Sequence, residues 1–239
     1  MYPEIDNLIE LIINKGVKIV FTSAGSPKKY TARFHEAGIK VAHVVSSSKF
    51  AKKCEEAGVD AIVAEGFEAG GHNGREELTT MVLIPQVCEV TTLPIIAAGG
   101  IASGKAIVAA QALGAEGVQI GTLFAASEES SASEAFKEYC IKLGEEDTML
   151  ALKKISPSRL AKNALYNKIK EAEDNGADAT TLKNILGDKS TKRGIFEGDI
   201  ENGEIEIGQA VTAIKQIQPV KDIISNLISD YNATLLRMR

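Results

Sequence analysis

Asp60-Ala-Ile-Val-Ala-Glu-Gly-Phe-Glu-Ala-Gly-Gly-His72-Asn-Gly-Arg-Glu-Glu-Leu-Thr-Thr80 is the stretch whose reading decides the fold. Its first five residues are a short apolar run with the length and β-branched content of a buried strand, and residues 79–88 beyond it read as a helix. What lies between is therefore a strand-to-helix loop. Glycines at 66, 70, 71 and 74 let the backbone approach something flat or anionic, because a position without Cβ tolerates positive φ and close contact. One imidazole, His72, and two carboxylates, Glu65 and Glu68, sit among them. Glycine-rich backbone beside a single titratable ring points to a cofactor site with an acid or base next to it. The competing reading is a flexible surface loop whose histidine does nothing.

The same cycle extends in both directions. Upstream, Ile5, Leu8, Ile9, Ile12 and Ile13 have the spacing of a helix with one buried face, closed by Gly16. A strand over 17–22, a turn over 23–27, a helix over 29–37 and a strand over 39–45 follow. Ser47 and Ser48 then cap a helix that runs to Glu56. Downstream come a strand over 94–98, a glycine turn over 99–104, a helix to Leu113 and a strand over 117–121. Strands that are apolar throughout, each followed by a helix, predict a parallel sheet buried on both faces, as in a β/α barrel or a doubly wound sheet. Right-handed crossovers gather every strand-to-helix loop at one end. From Ser127 the character changes to polar helices without strand signals, over 134–143, 146–154, 157–175, 180–186 and 219–236. The expected division is residues 1–126 as a partial α/β barrel or sheet and 127–239 as a helical region packed on it.

Composition narrows the function. A net charge of −5 with scattered Lys and Arg argues against nucleic acid, which requires a basic face. Cys54, Cys88 and Cys140 are far apart, with no Cys-x-x-Cys and no neighbouring histidine pair, so neither a disulfide framework nor a metal site is expected. Reduced thiols in a cytoplasmic protein fit better. No apolar run reaches the roughly 18 residues of a membrane span.

Two further glycine turns carry chemistry. Gly99 and Gly100 precede a helix whose N-terminus bears roughly half a positive charge, a setting for phosphate. Gln119-Ile-Gly-Thr122 ends the next strand and can add amides of Ile120 and Gly121 and the Thr122 hydroxyl. The competing reading of each turn is tight helix–strand packing that needs small residues.

These runs, together with Thr22-Ser-Ala-Gly-Ser-Pro, Ser156-Pro-Ser-Arg-Leu and Arg193-Gly-Ile-Phe-Glu-Gly-Asp-Ile followed by Gly208-Gln, resemble the FMN-dependent nitronate monooxygenase (2-nitropropane dioxygenase) family, nearest its enoyl-[acyl carrier protein] reductase II branch. The resemblance implies a TIM-type β/α barrel holding FMN, with the phosphate at Gly99, Gly100 and the turn of Gln119, Ile120, Gly121 and Thr122. It implies flavin contacts from Glu65, Gly70 and Gly71, and His72 as the catalytic imidazole. In the reductase branch NADH or NADPH is the co-substrate and a 2-enoyl thioester on acyl carrier protein is reduced; in the other branch an alkyl nitronate is oxidised with oxygen. A small-molecule or carrier-bound substrate is the expected partner, with homodimerisation left open. The sequence departs from the family in two places. Only five strands are readable where the resembling barrel has eight, so the expectation is that strands four to eight are present, that Met1 is an internal methionine of a longer protein, and that FMN binding by this form is weak. A catalytically silent fragment is the rival of another class. Leu123 stands where many relatives carry Arg.

Other residues have plainer readings. His35 is expected on a helix surface and His43 as a satisfied core histidine in a strand. Lys153, Lys154, Arg159 and Lys162 read as a solvated helix face, the alternative being contact with the 2′-phosphate of NADPH or an acidic carrier protein.

Overall fold

The five apolar runs form five parallel strands. The computed structural model describes residues 5–238; Met1 and the expectation attached to it lie outside the described residues. In chain order the first part contains α1 (Ile5–Asn14), β1 (Ile19–Thr22), α2 (Thr31–Glu36), β2 (Lys40–Val45), α3 (Ser48–Glu56), β3 (Ala61–Glu65), β4 (Gly71–His72), α4 (Thr80–Cys88), β5 (Ile95–Ala98), α5 (Gly104–Ala112), β6 (Gly117–Gln119) and α6 (Thr122–Ala125). The sheet order is β1-β2-β3-β5-β6 with every pairing parallel. This is a curved half-barrel sheet with its helices on one side.

The two faces of the sheet differ in side-chain size. Val41, Val45, Ile62, Ala64, Ile95 and Ala97 face the helices and merge with Phe34, Leu83, Ile84 and Val87 into the largest core cluster. Alternate residues point the other way. That face is built of Ala42, Val63 and Ala98, flanked by Val44, Ala61 and Ile96. Because register pairs Glu65 with Ala98 and Ala98 with Gln119, the polar ends of β3 and β6 lie on this inner face beside small alanines. Phe21, in register with Ala42 on the edge strand β1, is 55% exposed.

The second part corrects the helical expectation in two places. It contains α7 (Glu134–Lys142), β7 (Thr148–Ala151), β8 (Ser158–Ala161), α8 (Ala164–Asp174), α9 (Ala179–Leu186) and α10 (Val220–Arg237). The segments 146–154 and 157–163, expected as helix, instead supply β7 and β8, and β4 joins them in an antiparallel sheet of order β4-β8-β7. Thr148 to Ala151 carries its polar and apolar residues without a clear period, so the pairing is decided by the partner strand. The remaining helices form as read, and α10 lies across α5. Contact there is close enough that a Cβ on Gly104 would stand 2.0 Å from the Tyr231 nitrogen.

Candidate functional site

The loop from Gly66 to Thr80 is held by its neighbours. Glu68 turns its carboxylate onto the start of α4, accepting from the Thr80 amide at 3.0 Å, and the Thr80 hydroxyl lies 2.9 Å from the Gly99 carbonyl. Phe67 N–H donates to the Leu78 carbonyl at 2.9 Å, and the Phe67 carbonyl accepts from Arg159 Nε and Nη2 at 3.0 and 2.8 Å. Asn73 Nδ2 donates to the carbonyls of Ala69 and Gly71. Part-buried hydrogen bonds of this number favour one loop conformation and weigh against a flexible loop.

Two cavities meet at this loop. The smaller, of about 230 Å³, is lined by Glu65, Gly70, Gly99, Gly100, Gln119, Gly121 and Thr122, and on its far side by Glu206, Ile207 and Gly208. Seven of the ten residues singled out in the sequence therefore share one space. The larger, of about 610 Å³, lies within the ~300–1,000 Å³ range of ligand pockets and is bounded by His43, Ser46, Lys28, Glu65 and His72. Glu65 faces both.

Three of the singled-out residues stand elsewhere. Ile120 follows the strand alternation: Gln119 points inward, and Val118 and Ile120 pack outward on the helix-side core. Gly71, at φ +76°, faces Glu206, where an added Cβ would lie 3.3 Å from Oε2. His72 lines the larger cavity, with its side chain 69% exposed and Nδ1 3.4 Å from Glu206 Oε1. The expected dipole site at the N-terminus of α5 is already used by the protein. Ser103 Oγ accepts from the Ala106 amide at 3.1 Å and Asp230 Oδ2 accepts from the Lys105 amide at 3.1 Å. An anion in the cavity is thus left the glycine backbone of 99–100 and the 119–122 turn.

The glycines of the smaller cavity fall into two kinds. A Cβ on Gly70 would lie 2.5 Å from the Ile207 carbonyl carbon, and one on Gly208 would lie 2.8 Å from Thr122 Oγ1, so these two close a seam between backbones. A Cβ on Gly121 would meet nothing within 4 Å, so it would enter the open space. That is a cradle a ligand can fill. Electrostatics add a proton-sensitive group, since burial pushes Glu65 up to about 7. Burial also lowers His43, whose Nδ1 lies 2.7 Å from Thr22 Oγ1. His43 is the satisfied strand histidine expected, and His35 pairs at the surface with Asp60 at 2.8 Å.

The basic quartet does not form a face. Lys153 pairs with Glu77, Lys154 donates to the carbonyls of Gly176 and Ala177, and Arg159 is buried in β8 with its guanidinium on Phe67. The residues that sequence reasoning missed are Glu206 and Ile207. Their signal was the neighbouring Gly208-Gln phrase, which marked the place without saying what it touched.

Residues 4–230 match the family model described as nitronate monooxygenase. This chain belongs to the nitronate monooxygenase family. Among curated relatives, a probable nitronate monooxygenase of Staphylococcus aureus (strain MSSA476) is 35% identical over 235 residues, covering 94% of this chain and 65% of the relative. The chain thus spans 65% of the length of the curated relatives it matches. Among solved structures, FabK from Thermotoga maritima superposes with a TM-score of 0.93 at 39% identity, covering all of this chain and 76% of that one. Nitroalkane oxidase from Streptomyces ansochromogenes superposes at 0.82 with 24% identity, over 98% of this chain and 70% of that one, a likeness of fold. Among the described residues no helix is long and apolar enough to cross a membrane.

Proposed function

We propose that this chain carries the flavin site of an FMN-dependent oxidoreductase that reduces 2-enoyl thioesters borne on acyl carrier protein, with NADH or NADPH as co-substrate. The observation that carries this reading is the convergence of Gly70, Gly99, Gly100, Gln119, Gly121 and Thr122 on one cavity that shares Glu65 with the larger cavity bounded by His72. The likeness to FabK over the whole chain, at 39% identity, favours the reductase branch over nitronate oxidation.

FMN fits the chemistry of these groups. The open space at Gly121 and the backbone of Gly99 and Gly100 would take its phosphate, and the Thr122 hydroxyl, which accepts from the Gly208 amide at 3.3 Å, keeps its own proton to donate. The flavin site assigned to residues 1–126 then takes in 206–208 as well. When bound, FMN supplies hydride transfer from the nicotinamide to the β-carbon of the enoyl group. Glu65, titrating near neutrality, can donate or accept a hydrogen bond at the junction of the two cavities. His72 gives a proton to the α-carbon.

The test begins with the visible spectrum of the purified protein titrated with FMN. Saturable binding followed by nicotinamide consumption with crotonyl thioester supports the reading. Oxygen uptake with an alkyl nitronate and no nicotinamide supports the nitronate rival, which the names of the curated relatives favour. A protein that never takes up FMN is the silent form.

A further inference from the structure

A carboxylate stands behind the imidazole. Glu206 follows Gly203-Glu-Ile in the second part of the chain and is tied to β8 by a bridge with Leu160, while His72 is tied to the same strand through its pairing with Ser158. Their side chains meet: Glu206 Oε1 is buried and accepts no hydrogen bond of good geometry, and the His72 Nδ1 lies 3.4 Å away. A buried carboxylate oxygen is costly without a donor, and the His72 imidazole is the ion-pair partner beside it. Gly71 makes the approach feasible, since a Cβ at that position would press on the Glu206 carboxylate at 3.3 Å.

We infer that Glu206 is a positioning residue for His72, holding Nδ1–H toward its own Oε1 so that Nε2 is the nitrogen presented to the larger cavity. The inference rests on the reading of His72 as the proton donor. In that role the Nε2–H bond breaks and a C–H bond forms at the α-carbon of the substrate that receives hydride at its β-carbon. The ring is left neutral with Nδ1–H in place, and solvent returns the proton.

The surroundings favour a charged ring. Hydrogen bonding and charge from Glu206 hold the His72 imidazole above its ordinary value against the opposing effect of burial, with a smaller contribution from Glu204. Glu204 is itself raised by burial and by Glu206, and it accepts from the Thr191 hydroxyl at 2.9 Å. On β8, Arg159 is turned away to Phe67. Across the larger cavity stand Glu65, His43, Lys28, Lys53 and Glu56. Among these neighbours Glu206 alone contacts the ring as an ion-pair partner.

The test is nitrogen-detected NMR of the FMN-free protein labelled with ¹⁵N-histidine, a chain with three histidines, in which His72→Gln identifies the signal. His72 is expected to titrate above ~6.5 and, when neutral, to carry its proton on Nδ1. Glu206→Gln should lower its titration midpoint by about half a unit or more, and Glu204→Gln by less. Glu206→Asp, which keeps the charge, should fall between. An unchanged His72 titration in a folded Glu206→Gln variant, with His35 and His43 signals in place, overturns the inference. So does a wild-type neutral ring protonated on Nε2, a result that needs no variant to fold. With FMN bound, the alkaline limb of kcat should move down with the His72 midpoint in Glu206→Gln. If the NMR midpoint moves and that limb stays, the positioning holds and the acid role of His72 is what fails.

Discussion

The two walls of the smaller cavity are made by different means. One wall consists of loops at the ends of parallel strands, Glu65 to Gly70, Gly99-Gly100 and Gln119 to Thr122, each next to the strand that aims it. The other is the extended segment of Glu206, Ile207 and Gly208, which comes from more than eighty positions further along the chain and is held by bonds to the first wall. Gln209 N–H donates to the Glu68 carbonyl at 3.0 Å and the Gly208 amide to Thr122 Oγ1 at 3.3 Å. The first wall is local and repetitive; the second exists only because the chain returns to the site. The lesson is that the strand ends supply the backbone lining one side of the cavity, while the returning segment supplies the carboxylate behind the His72 imidazole.

The largest expected effect separates chemistry from cradle. His72→Ala should lower kcat for enoyl reduction by about 10²–10⁴, the range for loss of a general acid, and leave the FMN dissociation constant where it was. A variant with normal turnover would remove His72 from the reaction. Next comes the seam between the walls. Gly70→Ala drives a Cβ to 2.5 Å from the Ile207 carbonyl carbon, and backbone cannot yield as a flexible side chain can. A loss of about 1–3 kcal/mol in urea unfolding is expected, with FMN binding lost alongside it. Unchanged stability would show that the walls are not in register as described.

Glu65 tests the junction of the cavities through pH. Its folded value of about 7 lies above the ordinary 4.5, so between those values the native state binds the extra proton and stability falls as pH rises. At full strength the effect is about 3 kcal/mol. Glu65→Gln should therefore gain stability relative to the wild type between pH 5 and pH 8, measured as the difference in urea unfolding, and a flat difference would count against its burial. Gly121→Ala should leave unfolding unaltered and weaken FMN about tenfold, or about 1.4 kcal/mol, because the new methyl enters ligand space. If it destabilises the protein while FMN binding holds, Gly121 is a packing glycine. Smallest is Ile120→Val, expected to cost about 0.5–1.5 kcal/mol of stability with no change in flavin affinity, since its side chain faces the helix-side core.

Much of the first wall was legible in the residues. The apolar runs at 39–45, 60–64 and 94–98 announced β2, β3 and β5, because a strand buried on both faces must be apolar throughout. Glycines at 70, 99, 100 and 121 all line the cavity, but only Gly121 has open space where a Cβ would stand, while Gly70 and Gly99 lie against backbone. The motif offered the Ile120 amide, while the Ile120 side chain, following the strand alternation, packs on the helix-side core. At the start of α5 the Lys105 amide is taken for a non-local reason: it donates to Asp230, 125 positions further along the chain. Thr148 to Ala151 and Ser158 to Ala161 read as helix because nothing local signals an antiparallel pairing whose third strand is only Gly71 and His72.

By itself, then, the sequence determined the parallel sheet, the end of it at which the loops gather, and the glycines and the imidazole that stand at that end. These are consequences of hydrophobic period, glycine conformation and crossover handedness, all of them local rules. Only the tertiary structure decided that Glu206 backs His72, that Gly70 and Gly208 close a seam and Gly121 does not, and that α5 is capped from α10. Each of those depends on which distant segments meet, and contact between distant segments is set by the packing of the whole chain.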